Sequence, residues 1–338
     1  MTLNIALVGA GRIAKSSHLP AWSSVQGAEV VSIVDSDLEC AAQLASDWGV
    51  DSFGSSYEEA LENQDIDAVD LCVPGRLHVE MAVKALNAGK HVLIEKPLST
   101  SLQGAKELAK CAEQHPSLVA MVAENWLYSQ AFQEAMEIIG NGKIGEIIIL
   151  SARHLSRARL PENLVPGLGD WEKFGYLMTA GIHSLNASLQ IMGGLRSVDS
   201  IATIQDSKAK SETNYPIETD MVLIAEFSNG GIGAFEFSGR SLHDGERKLE
   251  FRLQGTEGVL EFDILSGEVS LTNRDGLWSH KSLLASMGFR EEIEHFVYAI
   301  QSGSKTRSSV ESQIAGLEFL DAAYRSLTER TRIFVAQE

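Results

Sequence analysis

The chain has 338 residues, 44% of them hydrophobic and 22% charged, the composition of an ordinary globular protein with room for two domains. A formal net charge of −18 argues against nucleic acid or an anionic membrane as partner, and no apolar run approaches the length of a membrane span. Cys40, Cys72 and Cys111 are odd in number, widely spaced and without a metal-ligand pattern; with no signal-peptide pattern they point to a reducing compartment, the cytoplasm.

The first 124 residues alternate apolar strands with helical stretches. Strands are expected over 3–8, 29–35, 67–73, 91–95 and 118–123, with helices over 38–48, 77–88 and 102–113. Val/Ile-rich strands separated by helices predict a parallel sheet covered on both faces, a doubly wound Rossmann-type α/β domain over 1–124. From 125 the pattern changes. A helix is expected near 131–142, a strand over 145–154, a loop over about 156–175 and a helix over 175–194. Strands then follow one another. Residues 221–227 turn at Ser228-Asn229-Gly230 into 231–239, and 248–254 turn at Gly255–Gly258 into 259–265. Leu249, Phe251 and Leu253 alternate with Glu250, Arg252 and Gln254, the period of a half-buried strand. Helices over 289–302 and 310–328 complete an α+β domain over 125–338 with a mainly antiparallel sheet.

The first strand runs into "GAGRIA", a G-x-G-x-x-A pattern from Gly9 to Ala14. Glycines allow a tight turn and close backbone approach, small Ala14 lets the next helix pack on the strand, and the helix start offers free N–H groups to a pyrophosphate. Gly9, Gly11, Arg12 and Ile13 are therefore candidate dinucleotide contacts. For Arg12, pyrophosphate contact, adenine contact and simple solvation are all open. Asp35, ending the second strand, suits hydrogen bonds from an adenosine ribose and repels a 2′-phosphate, so NAD is expected over NADP.

The fourth long strand ends in "HVLIEKPLS", three apolar residues running into Glu95, Lys96 and Pro97. Ligands of parallel sheets bind beyond the carboxyl ends of strands, where Gly9, Asp35, Pro74 and Lys96 all fall. Pro97 restricts Lys96 to extended geometry. An amine placed beside a nicotinamide cation and partly desolvated is suited to take a proton from a hydroxyl as hydride leaves the carbon. Glu95 can pair with Lys96 or hold the ribose. His78 can reach the nicotinamide side or make local bonds at its helix start.

Together "GAGRIA", Asp35, "EKP" and the downstream "AGIH" resemble the Gfo/Idh/MocA oxidoreductases, a resemblance covering essentially the whole chain. It implies an N-terminal Rossmann domain, a C-terminal domain on an open, mainly antiparallel sheet, and hydride transfer between a nicotinamide cofactor and a sugar, cyclitol or related polyol. It also implies that Lys96 is the acid/base group and His183 its partner toward substrate. Inositol dehydrogenase-like members carry an aspartate four residues before that histidine, where this chain has Thr179. The departure favours a neutral His183 and puts inositol in doubt.

Thr179, His183, Asn186 and Gln190 recur on one uncharged polar face of the 175–194 helix, a plausible wall for a sugar pocket. Trp126 and Trp171 offer flat faces for sugar C–H groups, and Tyr128 a hydroxyl. Arg153, His154, Arg157 and Arg159 form a cationic cluster suited to a carboxylate or phosphate, although alternation sends Arg153 and His154 to opposite faces. Arg153 and Arg157 are the candidates for substrate contact. No metal is required. The expected protein is an NAD-dependent sugar or glycoside dehydrogenase, a homodimer or homotetramer through the C-terminal sheet; the alternative is a regulator that binds dinucleotide without turnover.

Overall fold

The computed structural model describes residues 2–156, 175–204, 215–240, 248–281 and 286–335. These fall into two compact units, one within Met1–Asn125 and Gly288–Ile314, the other within Trp126–Met287 and Ala315–Glu338.

In the first unit a six-stranded sheet has the order β3-β2-β1-β4-β5-β6, from strands β1 (Leu3–Val8), β2 (Ala28–Val34), β3 (Ser52–Gly54), β4 (Ala68–Leu71), β5 (His91–Glu95) and β6 (Ala120–Ala123). All its pairings are parallel. Every residue of β4 and four of the five in β5 are buried, because helices cover both faces. Those helices are α1 (Leu19–Trp22), α2 (Leu38–Trp48), α3 (Tyr57–Glu62), α4 (His78–Asn87) and α5 (Leu102–Gln114). Their starts are fixed locally. The Asp37 carboxylate accepts the N–H groups of Glu39 and Cys40, and the Ser101 hydroxyl accepts that of Gly104. β3 and α3 carry too little hydrophobic period to be foreseen; α3 is started by Ser56, whose hydroxyl accepts the Glu59 N–H.

In the second unit, α6 (Gln130–Gly140), α7 (Ile182–Met192) and, from Ala315 onward, α9 (Val310–Glu329) accompany a nine-stranded sheet, while α8 (Phe289–Ser302) lies in the first unit. The expected domain division placed that helix with the second. It belongs to the first because Ile293 and Phe296 bury there, Phe296 meeting Trp22 edge-on with ring centroids 6.3 Å apart. The nine strands are β7 (Ile147–Leu155), β8 (Leu195–Ile204), β9 (Glu218–Phe227), β10 (Ile232–Ser238), β11 (Lys248–Gly255), β12 (Gly258–Asp263), β13 (Glu268–Asn273), β14 (Gly276–Lys281) and β15 (Ile333–Phe334). They run β14-β13-β12-β11-β7-β10-β9-β8-β15. Only the β7–β10 pairing is parallel. On the inner face Phe227 and Phe235 meet Phe319 of α9 edge-on. The outer face carries exposed Ile201, Val222, Ile224 and Ile232 beside ion pairs such as Arg252–Glu261.

Candidate active site

The glycine turn sits at the carboxyl end of β1. Gly9 has φ +100°, and a Cβ there would lie 2.4 Å from the Cys72 carbonyl oxygen, so the position admits no side chain. At Gly11 an added Cβ would meet nothing within 4 Å. That open side, followed by the helical segment 12–22, fits a pyrophosphate approaching the backbone. Arg12 is exposed and Ile13 half-buried. Asp35 has a structural role that its sequence position does not disclose. Its Oδ2 accepts the Ala10 N–H at 2.6 Å and its Oδ1 the Asp37 N–H at 2.9 Å, bracing the glycine turn against the end of β2.

Beyond β4, Pro74 is exposed and starts a single 3₁₀ turn, Gly75–Leu77. His78 is buried. Its Nδ1 lies 2.7 Å from the Pro97 carbonyl and its Nε2 2.9 Å from that of Val73, so both ring nitrogens are engaged locally. Burial pushes its pKa down, against the pull of those two carbonyls. Glu95 ends β5, 5% exposed, and Lys96 follows it half-buried, with its main-chain N–H donating to Glu95 Oε2 at 3.0 Å. The Lys96–Pro97 peptide is cis.

Beneath this edge lies a polar cluster. His18, inside a π-helical turn (Ala14–His18), places Nδ1 2.8 Å from Asp70 Oδ2 and Nε2 3.0 Å from Glu95 Oε1. The Trp22 indole N–H donates to the same Asp70 oxygen at 2.7 Å, and Cys72 Sγ lies 3.7 Å from Asp70 Oδ1. Burial lowers the tendency of His18 to hold a proton, but Asp70 and Cys72 reverse this and carry its pKa well above the ordinary value. Burial, then Asp70, pushes the Cys72 thiol up to about 12. His18, Asp70 and Cys72 are close enough to hold a metal ion. In this arrangement both imidazole nitrogens lie on carboxyl oxygens.

In the second unit, His183 follows another π-helical turn (Leu177–Gly181) and is 5% exposed. Its ring stacks on Trp126 with centroids 4.6 Å apart and planes 13° from parallel. His154 lies 5.0 Å from Trp126 and edge-on to Tyr176, whose hydroxyl is 2.6 Å from Ser156 Oγ. Trp126, His154, Tyr176 and His183 thus form one aromatic group. Trp126 is 1% exposed and gives a face to His183, and Tyr128 is buried as well. The Thr179 hydroxyl donates to the Gly175 carbonyl at 2.9 Å. Buried Asn186 packs against Gly316 of α9, whereas Gln190 is exposed, so the predicted polar face is mostly interior. Arg153 is not brought to this group. Alternation along β7 puts it on the outer face, where its guanidinium bonds Glu236 at 3.0 Å and Glu250 at 3.4 Å, while His154 turns inward. Arg157 and Trp171 lie outside the described residues.

Glu218 holds the start of the His183 helix. Its carboxyl accepts the Leu177 N–H and the Tyr324 hydroxyl, the latter at 2.9 Å, and burial pushes its pKa up to about 7. Gly175 sits at φ +83°, strained for an L side chain, and a Cβ there would press on the Glu218 carboxyl. A glutamate on strand β9 gave no sequence signal for this. His18 was equally silent, although Asp70 within the apolar strand β4 was a visible anomaly.

Residues 3–123 match the oxidoreductase family with NAD-binding Rossmann fold, and 132–261 match the Gfo/Idh/MocA C-terminal domain. D-glucoside 3-dehydrogenase of Escherichia coli is 30% identical over 240 residues, 68% of each chain. The chain belongs to the Gfo/Idh/MocA family of oxidoreductases. Inositol 2-dehydrogenase of Rhizobium meliloti is 25% identical over 346 residues, covering 99% of this Gfo/Idh/MocA chain and 100% of its own. A levoglucosan dehydrogenase in complex with NADH and levoglucosan shares the fold, with a TM-score of 0.90 at 22% identity and full coverage of both chains. The first unit of this family member is accordingly its NAD-binding domain. Among the described residues no helix is long and apolar enough to cross a membrane.

Proposed function

We propose that this family member is an NAD-dependent dehydrogenase acting on a CH–OH group of a sugar, glycoside or sugar derivative. The observation that carries the reading is Lys96, half-buried at the carboxyl end of β5, in the sheet whose β1 ends in the Gly9 turn. Bound NAD supplies the hydride-accepting nicotinamide. The chain's own residues do the rest. Lys96 Nζ takes the hydroxyl proton during oxidation and returns it during reduction, and His183 hydrogen-bonds the substrate oxygen. The named relatives, which include a glucoside, a levoglucosan and an inositol dehydrogenase, support a carbohydrate substrate. Thr179 in place of an aspartate weighs toward glycosides over inositol.

The test is NADH formation from NAD across a panel of glucosides, anhydrosugars, free sugars and inositols. Turnover of at least one carbohydrate is expected; tight NADH binding with none turned over would support a dinucleotide-sensing regulator instead. Asp35 is proposed to read the ribose. Asp35→Ala should narrow the NAD-over-NADP preference by about tenfold or more, through loss of carboxylate–phosphate repulsion. An unchanged ratio of kcat/KM values would assign Asp35 to the glycine turn alone.

A further inference from the structure

Hydride transfer does not require a buried charge network beneath Lys96, yet the first unit contains one. We infer that His18 is a positioning residue for Lys96, acting through the Glu95 carboxyl. The inference rests on the reading of Lys96 as the acid/base group.

The chain of contacts is continuous. The Trp22 indole fixes Asp70, Asp70 holds His18 Nδ1, His18 Nε2 holds Glu95 Oε1, and Glu95 Oε2 takes the Lys96 main-chain N–H. Facing two ionised carboxylates, the His18 ring would carry a hydrogen on each nitrogen, the direction in which its raised pKa points. The other neighbour of Lys96 is tethered in the same manner, with His78 on the Pro97 carbonyl. Lys96 is therefore flanked by two residues, each anchored by a buried imidazole.

A purely structural role explains this poorly. Burying an ion pair is seldom more stabilising than an apolar replacement of similar volume. The surroundings of His18 sharpen the point. Asp70 and Cys72 face it from the end of β4, Glu95 from β5, and Glu292 and the Phe289 ring from α8. Glu292 is fully buried with neither carboxyl oxygen hydrogen-bonded, and burial carries its pKa well up against the pull of His18, with Glu95, Glu124 and Asp70 adding to the rise. The hydrogen bonds of the His18 ring thus go to Asp70 and Glu95, not to Glu292. What this arrangement secures is the orientation of Glu95, with one oxygen on the His18 ring and the other on the Lys96 main-chain N–H.

Opposite signs follow for two variants. In His18→Gln the cation is lost and no longer offsets the negative charge of Glu95, so the Lys96 amine should hold its proton more firmly. In Glu95→Gln the negative neighbour is lost and the amine should give up its proton more readily. The experiment is competitive labelling of amines by acetic anhydride across pH, read at each lysine by peptide mass spectrometry, on the full chain with and without NADH. Lys90 is the internal control, because its amine is buried on the carbonyls of Asn63 and Ile66 and labels only if the fold opens. At neutral pH, Lys96 is expected to label about fivefold slower in His18→Gln and about fivefold faster in Glu95→Gln, with Lys90 unchanged. Wild-type labelling of Lys96 in both variants, or changes that merely track Lys90, would overturn the inference. Should His18→Gln not fold, Glu95→Gln and Asp70→Asn, both nearly isosteric, decide it. Failure of the underlying reading looks different: NADH would then not protect Lys96 in the wild-type protein.

Discussion

Lys96→Ala is expected to lower kcat by about 10²–10⁴-fold on whichever carbohydrate the protein turns over, the range typical of losing a positioned acid/base group. Lys96 directly follows β5, half-buried, with its backbone tied to Glu95, and Glu95 is itself on His18. Removing the side chain beyond Cβ leaves that backbone bond and the buried cluster intact. The dissociation constant for NADH should therefore stay within about threefold. The loss should fall on kcat more than on KM, and the rising limb of the pH–rate profile should flatten, because the group whose deprotonation it reports is gone. Steady-state kinetics with a fluorescence titration of NADH checks all of this. A kcat within threefold of wild type would remove Lys96 from the chemistry.

A second large effect is expected at the glycine turn, and the two glycines should separate. Gly9→Ala forces an L side chain to φ +100° and pushes a methyl to 2.4 Å from the Cys72 backbone oxygen, where no side chain can swing away. Positive φ alone costs ~1–2 kcal/mol, and the backbone clash adds to it, so a total near 3 kcal/mol is expected. Gly11→Ala meets no neighbour within 4 Å and should unfold within ~1 kcal/mol of wild type. Its methyl enters the open side of the turn, where the pyrophosphate is proposed to approach, so NADH affinity should fall about tenfold or more. Thermal unfolding and NADH titration of both variants provide the check. Equal stability losses, or unimpaired NADH binding in Gly11→Ala, would mean that the turn is not the phosphate cradle.

The parts of this molecule legible from sequence were those encoded within one turn or one strand. α2 spans the predicted 38–48, α8 the predicted 289–302, and β1 and β5 match residue for residue, because hydrophobic period and capping residues act locally. The π-helical turns Ala14–His18 and Leu177–Gly181 were not legible. They insert an extra residue per turn, and along the regular helix that follows the second, burial is set by the neighbours: Asn186 lies in the interior against Gly316 while Gln190, near the helix end, is exposed. The outward position of Arg153 was available from strand alternation, and Glu236 and Glu250 across the sheet account for its charge.

By itself, the sequence determined the parallel Rossmann unit, the glycine turn, the acidic end of β2 and the Glu-Lys-Pro end of β5, since each follows from periodicity or from the stereochemistry of a few consecutive residues. Only the tertiary structure decided the environment of those groups. His18, Asp70 and Glu95 meet from positions 52 and 77 residues apart, Glu292 arrives from a helix that returns to the first unit, and Glu218 reaches the Leu177 N–H across 41 residues. Such pairings depend on which strands and helices become neighbours. No local pattern in the chain records that, and it sets the burial and orientation of the described candidate groups.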